Sequence, residues 1–485
     1  MQPSAHTGQH GARPANGEQQ RQTPQPGDHP CPCPLPHGSA SLFRWATTAS
    51  IKQSAAGKAS PTAPAVVRRG KSGYTPATVP QGVSTMPGKA IPTAPRRASG
   101  TDDLTFVRQL QALGHPFVAN SFGLVFAFSH AHLQYFLTDD ATRQLELDIL
   151  QMQEITAGPL HEFIDHSLLF SNGEVHRRRR TPLARAFAFP LMDALRPAVR
   201  QEAQALIRPL IGKGPTPFLE AVAGPFPARI VAGILGLPDA DIPAFTRRVY
   251  SAIRGLSIQR SENIAATTED TRHLLAYVAE LLADRRRTPQ DDFLSQYVAR
   301  TAESPLSEAE VRAQIVTLIL AGSDTTRAAL TAILSRLLHT PDQWSLLKDD
   351  PDRHLQGAVA EGLRLEPVIG SYARVTTRQL ELEGYHLPAG TIVGPLSLTA
   401  LRDPEIYADP DTMDITRRDH PRLHPIFGAG PHRCLGEALA RIELEEALRV
   451  IATEAPETTC IGPPAELRGL GAVREVVGMT VEFAA

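Results

Sequence analysis

Cysteine is scarce in this chain: four in 485 residues, at positions 31, 33, 434 and 460. That number excludes a disulfide framework and fits a reducing compartment. Cys31 and Cys33 flank Pro32 in a Pro-rich stretch with no second pair, so no metal or redox motif is read there. Long apolar runs are missing too. The longest charge-free stretch, Gln109 to Thr138, contains Gly, Pro, Asn, Ser and three His, and Tyr385 to Leu401 is broken by Pro388, Gly390, Gly394 and Pro395. Neither reads as a spanning helix. No apolar N-terminal anchor is visible. Residues 41–60 carry Lys and Arg without an acid, but the forty Pro-rich residues before them argue against a transit peptide.

Charge is nearly balanced overall, at −2, but uneven along the chain. Residues 1–100 hold eleven Lys/Arg against Glu18 and Asp28, a balance of +9 that leaves −11 for the rest. The same hundred residues hold 15 of the 42 prolines and little periodic hydrophobicity. A segment of that kind cannot bury enough apolar surface to offset its ordering entropy, so residues 1–100 are expected to be a disordered tail, with Met86 as a plainer natural start. Residues 101–485 are expected to form one domain. Amphipathic helical patterns dominate it, among them Leu274, Leu275, Val278, Leu281 and Leu282. Ser307 and Glu310 make a capping box for a long helix running to Leu338. Phe117-Val118, Phe122 to Phe128, Leu380–Leu382 and Thr391–Val393 read as short strands. The expected class is mainly α with a small β portion.

The most informative string is Phe427-Gly428-Ala429-Gly430-Pro431-His432-Arg433-Cys434-Leu435-Gly436. Gly428, Gly430 and Gly436 permit positive φ and a close approach to a flat ligand. From Glu437 onward Leu439, Ile442, Leu444, Leu448 and Ile451 give a helical stripe. Cys434 therefore lies near a helix N-terminus, where free amides and the positive dipole end favour a thiolate. Such a thiolate can ligate haem iron.

This string resembles the haem-binding loop of the cytochrome P-450 family, and every fixed position of that family's pattern is filled. The resemblance implies the family's fold, with haem b between a long central helix and the cysteine-loop helix. It makes Cys434 the iron ligand, with Phe427, Gly430 and Gly436 shaping the cofactor cradle and His432 at a haem propionate.

Further strings fit the same family in the right order. Ala321-Gly322-Ser323-Asp324-Thr325-Thr326 puts poor helix formers mid-helix, which implies a local reason. Ala321 and Gly322 leave room for a flat ligand, and the Thr325 hydroxyl can bond back one turn. By resemblance Thr325 orders the water network at the oxygen site and Asp324 feeds it protons. Glu361 and Arg364 share a helix face, and the family uses this pair with an arginine at the position of Arg417 as a structural lock. His176 and Arg180, four apart, match a pair that holds propionates, as does Arg374. Arg177, Arg178 and Arg179 are left as a basic patch which, with Arg433, would receive an acidic electron donor. Gly362 is a departure, since the family usually has a larger residue there.

The resemblance implies a monooxygenase that uses O2 on an apolar small molecule. No flavin domain is expected, so its electrons are expected to come from a separate ferredoxin and ferredoxin reductase, and so indirectly from NAD(P)H. A peroxide-driven relative, or a haem sensor or carrier, would not need the Asp324–Thr325 pair. Val368, Ile369, Ala472 and residues 153–172 are expected to line the substrate pocket. A cytoplasmic monomer is expected, with no nucleic-acid partner and no membrane span.

Overall fold

Ser307 begins the longest helix in the computed structural model, which describes residues 89–253 and 261–485. Its hydroxyl accepts the Glu310 N–H (3.2 Å) and the Glu310 carboxylate accepts the Ser307 N–H (2.9 Å), so the capping box closes in both directions. The helix Glu308–Leu338 has 31 residues, a length of about 46 Å at ~1.5 Å per residue. It is buried on almost every side. Its hydroxyl side chains bond to carbonyls one turn earlier, Ser323 to Ile319 (2.8 Å), Thr325 to Ala321 (2.9 Å) and Thr331 to Arg327 (2.9 Å). That is how a core helix accepts these residues without leaving buried donors unpaired.

The helices Pro225–Leu235, Ser261–Arg287, Pro351–Leu365 and Glu437–Glu454 pack around this central one. Glycines set two of the approaches. A Cβ added at Gly322 would lie 3.1 Å from Val231 Cγ2, and one at Gly362 would lie 2.7 Å from Ile333 Cγ1. Gly362 is therefore small because its helix presses on the central helix at Ile333. The smallness of Gly322 serves the packing of Pro225–Leu235, a use that the sequence pattern did not suggest.

A five-stranded sheet runs in the order Phe117–Ala119, Val125–Ala127, Ile392–Pro395, Arg374–Thr376, Thr142–Gln144. All its pairings are antiparallel except Val125–Ala127 with Ile392–Pro395. Among the described residues three smaller sheets complete a mainly α fold with a small β portion. The strand expected over Phe122 to Phe128 begins only at Val125, because residues 120–123 form a turn held by the Asn120 side chain, with Phe122 85 % exposed.

The expected boundary near residue 100 is also corrected. Lys89 N–H bonds to Gly384 O (2.8 Å) and Ala94 N–H to Ala119 O (2.7 Å), while Arg97 pairs with the buried Asp103 (2.6 Å). Backbone pairing at a sheet edge needs no apolar side chains, so composition alone hid it. The readings of residues 1–88, including Cys31, Cys33, residues 41–60 and Met86, lie outside the described residues.

Candidate active site

The loop before helix Glu437–Glu454 holds Cys434 by its backbone. Cys434 N–H donates to Phe427 O (2.7 Å), and Arg433 donates to Gly428 O (2.7 Å) while pairing with Glu437 (2.6 Å). Gly428 and Gly430 take positive φ (73° and 63°), and a Cβ at Gly430 would press on Leu137 O at 2.9 Å. Gly436 departs from the expectation of positive φ. It is the helix N-cap at φ −89°, and an added Cβ there would meet no protein atom within 4 Å. Its value is open space beside the cysteine. Protein surrounds Cys434, and burial pushes its thiol up, opposed by the Gly436 amide. Yet its side chain is exposed. Both hold together for a group that faces an internal cavity. Ala321 is likewise exposed in the middle of the buried central helix, with Gly322 and Thr325 partly exposed beside it. Phe427 packs against the main core and lies under the Arg441 guanidinium (4.9 Å).

Four basic side chains converge next to this loop. The rings of His176 and His432 lie 3.9 Å apart, and Arg180 donates to Arg433 O (2.6 Å). Arg374 donates to Thr142 Oγ1 (3.3 Å) and Thr142 O (3.1 Å). Burial first, then the neighbouring cations, lowers His176 to about 4, and burial followed by His176, Arg374 and Arg180 lowers His432 to about 3. Burial followed by Arg143 lowers Arg374 to about 10. His176 Nε2 and Arg374 Nη1 are buried without a hydrogen-bond partner. No carboxylate is among the groups that shift these two histidines. Two buried arginine charges beside two neutral histidines, with no anion, are costly unless an anionic ligand joins them.

On the central helix, Thr325 is half-buried toward the interior, whereas Asp324 is buried and ion-paired with Arg327. The Arg327 guanidinium lies 4.0 Å from the Tyr250 ring centroid, and the Tyr250 hydroxyl donates to Gly224 O (2.7 Å). Asp324 and Thr325 are thus neighbours in sequence, but the carboxylate is turned to Arg327. Sequence reading missed Arg327 and Tyr250. The i,i+3 spacing of Asp324 and Arg327 was the available signal for the first, and nothing local pointed to the second.

Glu361, Arg364 and Arg417 meet in the interior. Arg364 grips both Glu361 oxygens at 2.7 Å and donates to Leu401 O (3.0 Å) and Thr412 O (3.2 Å); Arg417 reaches Glu361 at 3.0 Å. Burial would raise the Glu361 carboxyl, but bonds to Arg364 and His420 prevail and hold it at about 2. His420, 3.4 Å from Glu361, is a fourth member that the sequence did not single out. The arginine run does not form the open patch expected of it. Arg179 is buried and bonded to Glu310 (2.9 Å) and Ser167 O (3.1 Å), Arg178 also pairs with Glu310, and Arg433 is committed to its loop. Only Arg177 stands out, 74 % exposed and paired with Glu174. A carboxylate on the central helix, 131 residues away, draws the others inward.

Val368 and Ile369 come next to Ala472 through bonds from Gly370 and Ser371 N–H to Gly471 O (3.0 and 3.1 Å). Part of the stretch 153–172 borders a surface recess of about 460 Å³, which none of Cys434, Thr325 or the four basic residues lines.

Comparison with known proteins gives one consistent answer. The family model described as Cytochrome P450 matches residues 259–451. A plant-inducible protein of Rhizobium radiobacter, cytochrome P450-pinF1, is 39% identical over 370 residues, covering 76% of this chain and 87% of the relative. Luteothin monooxygenase of Streptomyces thioluteus is 32% identical over 329 residues, covering 66% and 80%. Among solved structures, P450BioI in complex with acyl carrier protein ligated to hexadec-9Z-enoic acid has a TM-score of 0.72 at 27% identity, covering 78% of this chain and 98% of that one.

Proposed function

The chain belongs to the cytochrome P450 family, and from that premise we propose that Cys434 is its haem ligand and that it oxygenates an apolar small organic molecule with electrons from a separate ferredoxin and reductase. Membership makes it an oxidoreductase that incorporates oxygen and uses a haem-thiolate cofactor with O2. NAD(P)H, as the source behind the reductase, is part of the proposal.

One observation carries the assignment of residues. A thiol with an accessible surface inside the protein lies beside four basic side chains that lack an acid. Haem b is a flat apolar disc with two carboxylates, and these residues fit it. Cys434 offers sulfur, and His176, Arg180, Arg374 and His432 offer donors to the carboxylates, two of them with an unpartnered buried nitrogen. Gly436 and Ala321 offer clearance. When bound, haem supplies oxygen activation at its thiolate-ligated iron.

The remaining steps belong to the chain's own groups. The Thr325 hydroxyl, anchored on Ala321 O, holds water at the distal side, and the Asp324 carboxylate returns protons to it. Because Asp324 pairs with Arg327, that transfer runs through water or through a turn of the carboxylate away from the guanidinium. Glu361, Arg364 and Arg417 fix the chain ahead of the cysteine loop.

The substrate is proposed to be long and apolar. The small and apolar residues Ala321, Val368 and Ile369 support this, as does the acyl chain in the solved P450BioI complex. Among the described residues no helix is long and apolar enough to cross a membrane. The free thiols Cys434 and Cys460 support the cytoplasm as the place of action. The deciding experiment is Cys434→Ser. The red-shifted Soret band of the ferrous CO complex should vanish in this variant and persist when Cys31, Cys33 and Cys460 are replaced together. A retained band in Cys434→Ser refutes the assignment. Type-I spectral shifts across a panel of fatty acids and larger apolar compounds then test the substrate class.

A further inference from the structure

Tyr372 comes from the segment just before the strand Arg374–Thr376, far in sequence from the cysteine loop. Its hydroxyl donates to Ile426 O and lies 3.4 Å from Pro425 O. The ring passes under Gly428, where an added Cβ would lie 3.9 Å from Cε1, and it packs with Ala429 against Leu133, Leu137 and Ala400. Its own backbone is pinned by Tyr372 N–H to Pro395 O (3.3 Å) and by the neighbouring Ser371 N–H to Gly471 O (3.1 Å). A rigid aromatic lever, fixed at its root, therefore ends on the peptide that precedes Phe427. The carbonyl of Phe427 receives the Cys434 N–H at 2.7 Å.

We propose that Tyr372 is a positioning residue for the Cys434 sulfur, its hydroxyl fixing the Ile426 peptide and, through the next one, the cysteine amide. The inference rests on the proposal that Cys434 is the haem ligand. Arg433 holds the loop through Gly428 O, and Tyr372 holds it through Ile426 O. Tyr372 is also two residues from Arg374, so one short segment sets both the sulfur and a cation of the basic cluster. Hydrogen bonding around a ligating sulfur tunes the metal, and the Ile426 carbonyl loses order when this side-chain donor is removed. Sheet strength alone does not explain why the segment carries a tyrosine here, since the hydroxyl contacts no strand.

The test is Tyr372→Phe, which keeps the ring and removes one oxygen. Two readouts apply. In the haem-loaded protein, the ratio of the red-shifted to the blue-shifted ferrous CO form under mild urea should fall about tenfold, the equivalent of about 1.4 kcal/mol. In the haem-free protein with Cys31, Cys33 and Cys460 replaced by serine, alkylation of Cys434 by a maleimide should speed up about tenfold. Tyr277→Phe removes a phenol hydroxyl bonded to Asp241 (2.8 Å), away from this loop and from the Glu361 lock, and should change neither. An unchanged value in either readout, or an equal effect of Tyr277→Phe, overturns the proposal. The alkylation measurement needs no haem, so it stands even where Cys434→Ser refutes the ligand assignment.

Discussion

Arg374→Met should act in opposite directions on the haem-free and haem-loaded chain. In the haem-free chain Arg374 is 5 % exposed, its Nη1 has no partner, and its two bonds to Thr142 are long. Burying the charged guanidinium with one unsatisfied donor costs several kcal/mol, and its two bonds to Thr142, from a charged donor, return about 1.5–3 kcal/mol each at best. Methionine fills a similar volume and carries no charge. The haem-free variant should therefore unfold in urea at the same stability or up to about 2 kcal/mol above the parent. With haem present the guanidinium faces a carboxylate, and a bond to a charged partner contributes about 1.5–3 kcal/mol, or about 10- to 150-fold in affinity. Haem transfer from the variant to an excess of a competing apoprotein should be favoured by that factor. A variant that is less stable by more than about 2 kcal/mol without haem, and equal to the parent in haem retention, would refute the reasoning. Arg374 would then be a structural cation of the sheet.

His176 is lowered to about 4 by burial and by Arg180, so the haem-free chain gains from keeping it neutral. The unfolded chain binds that proton near pH 6.5, so stability is intact above about 6.5 and declines between about 6.5 and 4; His176→Asn should flatten this slope in urea melts at several pH values. Thr325→Ala should keep haem and substrate binding but divert electrons to peroxide or water, seen as less product per electron supplied. Arg327→Ala, which frees the Asp324 carboxylate, should change the solvent isotope effect on turnover, and an unaltered effect would place the proton route elsewhere. Gly357→Ala should lower stability by about 1–3 kcal/mol in urea, because the new Cβ overlaps Ile415 O; a gain of about 1 kcal/mol from helix propensity alone would mean that the backbone there yields.

Much of the proposed site could be read from the sequence because its chemistry is local there. Cys434 and its glycines, the Asp324–Thr325 pair and the Glu361–Arg364 spacing each lie within one turn or one loop. The capping box at Ser307 placed the central helix to the residue, since it is a bond between positions three apart. Strands were harder. All the described strands are only three or four residues long, and Pro215–Pro217 has proline at both ends, so neither alternation nor propensity marks it. The arginine run shows the same limit in charge. Arg177, Arg178 and Arg179 read as an open basic patch in the sequence, yet Glu310 pairs with two of them, and only the fold brings it there.

The same helix-to-loop contacts explain why the departure at Gly362 is compatible with the family fold. Gly357 and Gly362 lie on the helix Pro351–Leu365 that also carries Glu361 and Arg364. Without a Cβ at Gly362 the helix closes on Ile333 of the central helix, and without one at Gly357 it closes on Ile415 of the segment that carries Arg417. These two approaches hold the ion-paired lock between the central helix and the chain that leads into the cysteine loop. Breaking such a buried pair by removing one partner costs about 3–5 kcal/mol, because the other charge stays buried alone. Glycine at two positions thus lets the lock form at short range, and with Tyr372 on the other side it leaves the stretch Pro425–Cys434 supported from two independent elements.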